Sequence, residues 1–176
     1  MRSSPAGTAI VQPYLDAIDL HARGVARCRD LGYMRGTMVA LEGLGEANVA
    51  AGRFEAAEQS FIEGMATADK MGMVRDMLGM MAKIAKVRAA LGRPEEAVEM
   101  LATVLAQPMS AQQPFADNTP IKDTAARVLD DLRDWLSPAE RSAALARGTS
   151  TPFEVAAKEL MAGVADVPRG RVRTEP

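Results

Sequence analysis

The chain has 176 residues, 48% of them hydrophobic but only 4% aromatic, with a formal charge of −2 and an isoelectric point near 5.5. That charge gives no general electrostatic pull toward nucleic acid or an anionic bilayer. The lone Cys28 excludes an internal disulfide framework, and no apolar run approaches the roughly 20 residues of a membrane span. A core drawn from Ala, Leu, Val, Ile and Met favours closely packed helices over a sandwich, so the expected class is all-α. Met1 to Pro13 lacks the continuous apolar segment of a signal peptide. A cytoplasmic location is therefore expected by elimination.

In chain order, residues 1–13 read as a flexible lead and Tyr14 to Leu31 as a first helix. Ala40, Leu41, Leu44, Ala47 and Ala51 then fall at helical spacing and form one apolar stripe. Gly52 ends that helix. A further helix over about Phe54 to Met71 turns Ala57, Phe61, Met65 and Ala68 inward, and Gly72 closes it. The next begins near Arg75 and ends at Gly92; Pro94 then occupies a first helical turn, where its missing N–H costs nothing. The turn signals recur at a fixed distance. Gly32 and Gly72 stand in similar hexapeptides, Gly52 and Gly92 in a second kind of turn, and both pairs give one period of about 40 residues. Two kinds of turn sharing one period predict repeated helical hairpins over residues 14–107.

Pro108, Pro114 and Pro120 mark residues 108–118 as a loop. Ala125, Val128, Leu129, Leu132 and Leu136 form the stripe of a following helix from about Thr119. Ser137-Pro138-Ala139-Glu140 and Thr151-Pro152-Phe153-Glu154 each read as an N-cap, a first-turn proline and a capping acid. The two helices they start are expected to cap the array, so that 119–163 forms a C-terminal helix with capping helices and 164–176 a disordered tail.

The residues that carry chemistry are few. His21 and Cys28 are seven positions apart, roughly 10 Å along a helix, too far for a metal pair or a thiolate–imidazole pair, and both are expected to face inward. The glycines read as helix ends, with no phosphate loop. Asp130, Asp131 and Asp134 read as a solvated acidic face, and Glu95-Glu96 as first-turn acids that favour the helix dipole. Met77, Met80, Met81 and Ile84 read as a core stripe, with a partner-binding methionine surface around Met71 to Met81 as the sharper alternative. No catalytic residue, metal ligand or cofactor site is expected, and an enzyme is the least favoured reading.

With these residues in place, the chain resembles the tetratricopeptide-repeat family. Leu41, Leu44, Gly45, Ala57 and Phe61 stand at the family's signature spacing, matched in the second block by Met81, Ile84, Ala85, Ala97 and Leu101. The departures are a period longer than the family's usual one, Asn48 in place of a common Tyr, and Gly64 in place of Ala. The resemblance implies an α–α superhelix of about two and a half hairpins. It also implies a partner-binding groove on the first helix of each hairpin, carried over here to Glu42, Glu46, Val49, Ala82, Lys86, Ala89, Lys122 and Leu129. The C-terminal order, through Leu136-Ser137-Pro138, Ala144-Leu145-Ala146-Arg147-Gly148 and Phe153-Glu154-Val155-Ala156, resembles the ends of LuxR-type and antibiotic-regulatory-protein-type bacterial regulators. The expected function is a non-enzymatic protein-interaction module, with no direct nucleic-acid or membrane contact. Three forms of it stay open: the sensor or scaffold part of such a regulator, a free-standing dimeric adaptor, and a helical domain that binds a small molecule. Tyr14 to Leu31 reads as half a hairpin, whose open face awaits an upstream domain or another chain.

Overall fold

A computed structural model describes residues 5–108 and 119–165, and every regular element among them is a helix. They are α1 (Pro5–Asp30), α2 (Met34–Ala50), α3 (Phe54–Lys70), α4 (Val74–Ala90), α5 (Pro94–Ala106), α6 (Thr119–Asp131), α7 (Pro138–Ser150) and α8 (Phe153–Ala165). The all-α expectation holds. None of these helices is long and apolar enough to cross a membrane.

A single turn design joins α1 to α5. Gly32, Gly52, Gly72 and Gly92 all have φ between 64° and 77°, a left-handed conformation that an L side chain enters only at a steric cost. After Gly52 the Arg53 amide bonds back to the Asn48 carbonyl at 2.8 Å, while the Gly52 amide bonds to Val49 at 3.0 Å. The same pair of bonds recurs at the other three glycines. This is the Schellman closure, which satisfies carbonyls that a helix end leaves open. The two kinds of turn expected from sequence are therefore one, recurring at half the expected period. The full period is carried by the side chains of the helices between them.

α1 begins at Pro5, not at Tyr14, and carries Pro13 inside it. Residues 5–13, expected as a flexible lead, are helical. Of the expected loop 108–118 only Pro108 is described, outside any helix, and 109–118 lie outside the described residues; of the expected tail 164–176, residues 164–165 are helical, since α8 runs to Ala165, and 166–176 lie outside the described residues.

Each helix packs on the next: α1 on α2, α2 on α3, α3 on α4 and α4 on α5. Of the signature positions, Leu41, Ala57, Phe61, Met81, Ile84, Ala85, Ala97 and Leu101 lie in the core at 2% exposure or less and Gly45 is buried, while Leu44 is half-buried. Met77, Met80 and Met81 are buried and Met71 and Met73 half-buried. The cluster is core packing: Met77, Met80 and Met81 belong to the buried core, and Met71 and Met73 pack against it.

Glycines inside the helices do a different job from those at the turns. A β-carbon on Gly43 would overlap the His21 ring, one on Gly45 the Phe61 ring, and one on Gly36 would meet Tyr33 and Cys28 Sγ. At Gly64 it would stand 2.6 Å from Met80 Sδ. Each is a notch that lets a nearby side chain seat against the helix backbone. The reading of glycines as helix ends is corrected at these positions. His21 and Cys28 do point inward, filling notches on α2.

Beyond α5 the chain wraps both sides of the stack. α6 packs on α4 and α5, α7 on α5, and α8 crosses back onto α3 as well as α5. At the start of α7 the Ser137 hydroxyl accepts from the Glu140 amide at 3.3 Å, and Glu140 accepts from the Ser137 amide at 2.8 Å, a complete capping box. Thr151 departs from its expected role. Its hydroxyl donates to the Arg147 carbonyl at 2.8 Å and closes α7, while the Pro152 carbonyl accepts the first amide bonds of α8.

Candidate functional site

α2, α4 and α6 together line a groove of about 440 Å³. α2 supplies Glu46 and Val49, α4 supplies Gly79, Ala82, Lys83, Lys86 and Val87, and α6 supplies Ile121, Thr124 and Val128. Phe61 of α3 reaches through to the floor although only 1% of it is exposed. The wall is mostly aliphatic because α6 turns its own apolar stripe back onto α4. Gly79 helps to close the seam, since Ile121 Cδ1 lies 3.7 Å from where its β-carbon would stand.

A second hollow of about 350 Å³ shares Val49, Lys86, Val87 and Val128 with the first and carries the depression on to Phe54, Ala89, Asp131 and Trp135. Trp135, the one tryptophan of the chain, is 56% exposed at that end. An exposed tryptophan beside an apolar channel is a strong anchor in protein recognition, because its large face is desolvated on contact.

The rim charges divide into paired and open. Lys83 Nζ bonds to Glu42 at 2.5 Å and to Glu46, and stands 5.8 Å from the centre of the Phe61 ring. Burial pulls its pKa down, but the two carboxylates outweigh that effect and hold it above the ordinary lysine value. Among the described residues Lys86 makes no ion pair and is exposed.

Of the residues expected in the groove, Glu46, Val49, Ala82 and Lys86 line it, Ala89 lines its continuation, and Glu42 stands at the rim. Lys122 does not belong. Its ammonium bonds to the carbonyls of Leu105, at 3.1 Å, and Gln107, so it caps the C-terminal end of α5. Leu129 packs against the core instead. On α6 the groove face falls one position before the expected one, at Ile121 and Val128 in place of Lys122 and Leu129, and one residue of shift turns a side chain by about 100°. Lys83, Phe61, Ile121, Thr124, Val128 and Trp135 are groove residues to which the repeat period does not point. Lys83 lies one position after Ala82 and could have been included from the width of a helix face alone.

A separate cleft of about 580 Å³ lies between α3, α5 and α8. Its wall is an ion-paired cluster. Arg88, 14% exposed, bonds to Glu58, 13% exposed, at 2.6 Å and to Glu96 at 2.8 Å. Arg93 holds Glu96 with two bonds of 2.6 and 2.7 Å. The Arg93 hydrogen bond is the main cause of a Glu96 pKa below its ordinary value, opposed by burial and aided by the charges of Arg88 and Arg93. A carboxyl depressed in the folded state contributes stability above its unfolded pKa, and that contribution is lost as pH falls through the folded value. Glu96→Gln is therefore expected to lower the melting temperature at neutral pH. It should also flatten the loss of stability below about pH 4.5, where a free glutamate titrates. A pH series of thermal melts checks both.

Among the described residues no group of three or more His, Cys, Asp or Glu side chains is placed to hold a metal ion. No protein-family model, curated protein or solved structure matches the chain.

Proposed function

We propose that this chain is a protein-interaction module built as a tetratricopeptide-like superhelix. Its α2–α4–α6 groove holds a segment of a partner protein. In this reading the chain forms the sensor or scaffold part of a bacterial transcriptional or signalling regulator, as its repeat spacing and C-terminal order suggest. The observation that carries it is the groove itself: an aliphatic channel that leads to an exposed tryptophan, with the Lys83 charge already neutralised by Glu42 and Glu46. Such a surface gains more from covering apolar area than from attracting charge.

Ala82→Arg would fill the channel from its floor. Binding of a protein partner recovered with the wild-type chain is expected to weaken by about tenfold or more, roughly 1.4 kcal/mol. Gln59→Arg, in the cleft on the far side, should leave it unchanged. The exchange Glu46→Lys with Lys86→Glu should weaken binding at the rim with little effect on melting, because exposed pairs contribute about 1 kcal/mol at most. Partner binding indifferent to Ala82→Arg would remove the groove from the function.

A second reading, a regulatory domain for a small molecule, draws on the groove volume, which falls in the range of about 300–1,000 Å³ usual for ligand sites. A thermal shift with a metabolite that Ala82→Arg abolishes would favour it.

A further inference from the structure

A second apolar region lies at the α1 end of the stack. Leu20 and Leu31 are 62% and 63% exposed, with Tyr33 exposed beside them. α1 makes its extended packing contact with α2 alone. It is also 26 residues long against 17 for α2. The notches fix their antiparallel register, His21 over Gly43 and Cys28 over Gly36, which brings Tyr14 level with Ala50. The segment 5–13 of α1 therefore runs past the end of α2. Among the described residues the rest of the α1 surface is open to another chain.

We propose that the occupant is a second copy of this chain, with α1 lying antiparallel on α1 about a two-fold axis. Pro13, Asp16, Leu20 and Arg27 are exposed and recur at steps of three, four and seven, so they form one stripe along a flank of α1, to one side of the His21–Cys28 face that packs on α2, and exposed Leu31 follows in the turn after it. The stripe is complementary to itself in reverse. An axis between residues 21 and 22 sets Asp16 of each copy opposite Arg27 of the other, at both ends of the contact. Leu20 lies beside its own counterpart near the axis, and Leu31 covers Pro13 of the opposite overhang. Among the described residues Asp16 accepts a hydrogen bond from Gln12, at 2.9 Å, and no other, and Arg23 is held by Asp19. Arg27 makes no ion pair among the described residues, so both members of the proposed pair are available. Such an interface is isologous, the commonest form of homodimer contact, and its like-with-unlike charges fix the register. It is independent of what the groove holds.

Sedimentation equilibrium of the full chain tests this. The wild type is expected to run at twice its 18.8 kDa mass. Asp16→Arg alone, or Arg27→Asp alone, places like charges opposite at both ends and should raise the dissociation constant roughly tenfold. The double exchange, Asp16→Arg with Arg27→Asp, rebuilds both pairs in reverse and should restore dimerisation. Both positions are solvent-facing, and circular dichroism confirms that each variant folds. A chain that stays monomeric at millimolar concentration overturns the proposal and assigns the face to another occupant. A dimer that ignores the single reversals, or is not rescued by the double, overturns the α1 register.

Discussion

Gly148→Ala is expected to destabilise the protein by about 2–3 kcal/mol, although the same change in a free helix would stabilise it by about 1 kcal/mol. The reason is where α7 meets α5. A β-carbon on Gly148 would overlap the Glu99 carbonyl oxygen and lie 2.8 Å from Ala102 Cβ. These are backbone and a rigid methyl, which cannot swing aside as a long side chain would, so the full cost of overpacking, up to about 3 kcal/mol, applies. The buried Thr103 hydroxyl also lies 3.0 Å from the Gly148 carbonyl and 3.1 Å from that of Glu99, so displacing α7 loosens a buried hydrogen bond worth about 1 kcal/mol. In a chain of this size the melting temperature should fall by about 5–10 °C. Gly163→Ala on α8 is the matched control, because nothing lies within 4 Å of its added carbon. It should raise stability by roughly 0.5–1 kcal/mol. Thermal melts of the two variants side by side decide the matter, and a rise in both would mean that α7 does not approach α5 this closely.

Phe61→Ala should cost more, about 3–5 kcal/mol, as for other fully buried aromatic truncations. Phe61 fills the Gly45 notch on α2, supports Lys83 from below and floors the groove. One pairing makes the prediction specific. Gly45→Ala alone forces a methyl into the ring and should destabilise. In the Phe61→Ala background that methyl instead occupies part of the vacated space. The double variant is therefore expected to be more stable than the sum of the two singles by about 1 kcal/mol or more. Chemical denaturation of all four chains closes the cycle. Strict additivity would mean that ring and notch do not meet.

Much of this architecture is legible in the sequence because the turns and the core are local matters. Gly32, Gly52, Gly72 and Gly92 announce themselves as the places where the chain must take a left-handed conformation. The stripes that run through Leu41, Phe61, Ile84 and Leu101 follow from helical periodicity alone. What escapes is phase and continuation. Pro13 reads as a stop, since a helix crossing it forfeits a backbone bond, and nothing nearby in the sequence says that α1 continues to Pro5. Lys122 reads as a groove residue because a carried-over repeat position assigns it there, whereas its ammonium bonds to carbonyls at the end of α5. The notches at Gly36, Gly43 and Gly148 are equally silent, because a glycine within a helix has meaning only once its neighbour across the seam is known.

The even spacing of the four turns has a consequence for how such a chain can change length. The joints recur with every helix, but the two sides of the stack alternate, with α2 and α4 lining the groove while α3 and α5 look onto the far cleft. The array thus has a parity that its joints do not record. Gain or loss of a helix pair preserves parity and merely lengthens or shortens the channel. Removing a single helix with its turn would leave every remaining joint sound and every helix well formed, yet exchange front for back in everything downstream. Side chains alone hold that distinction, so the identity of each face is inherited in pairs of helices, never singly.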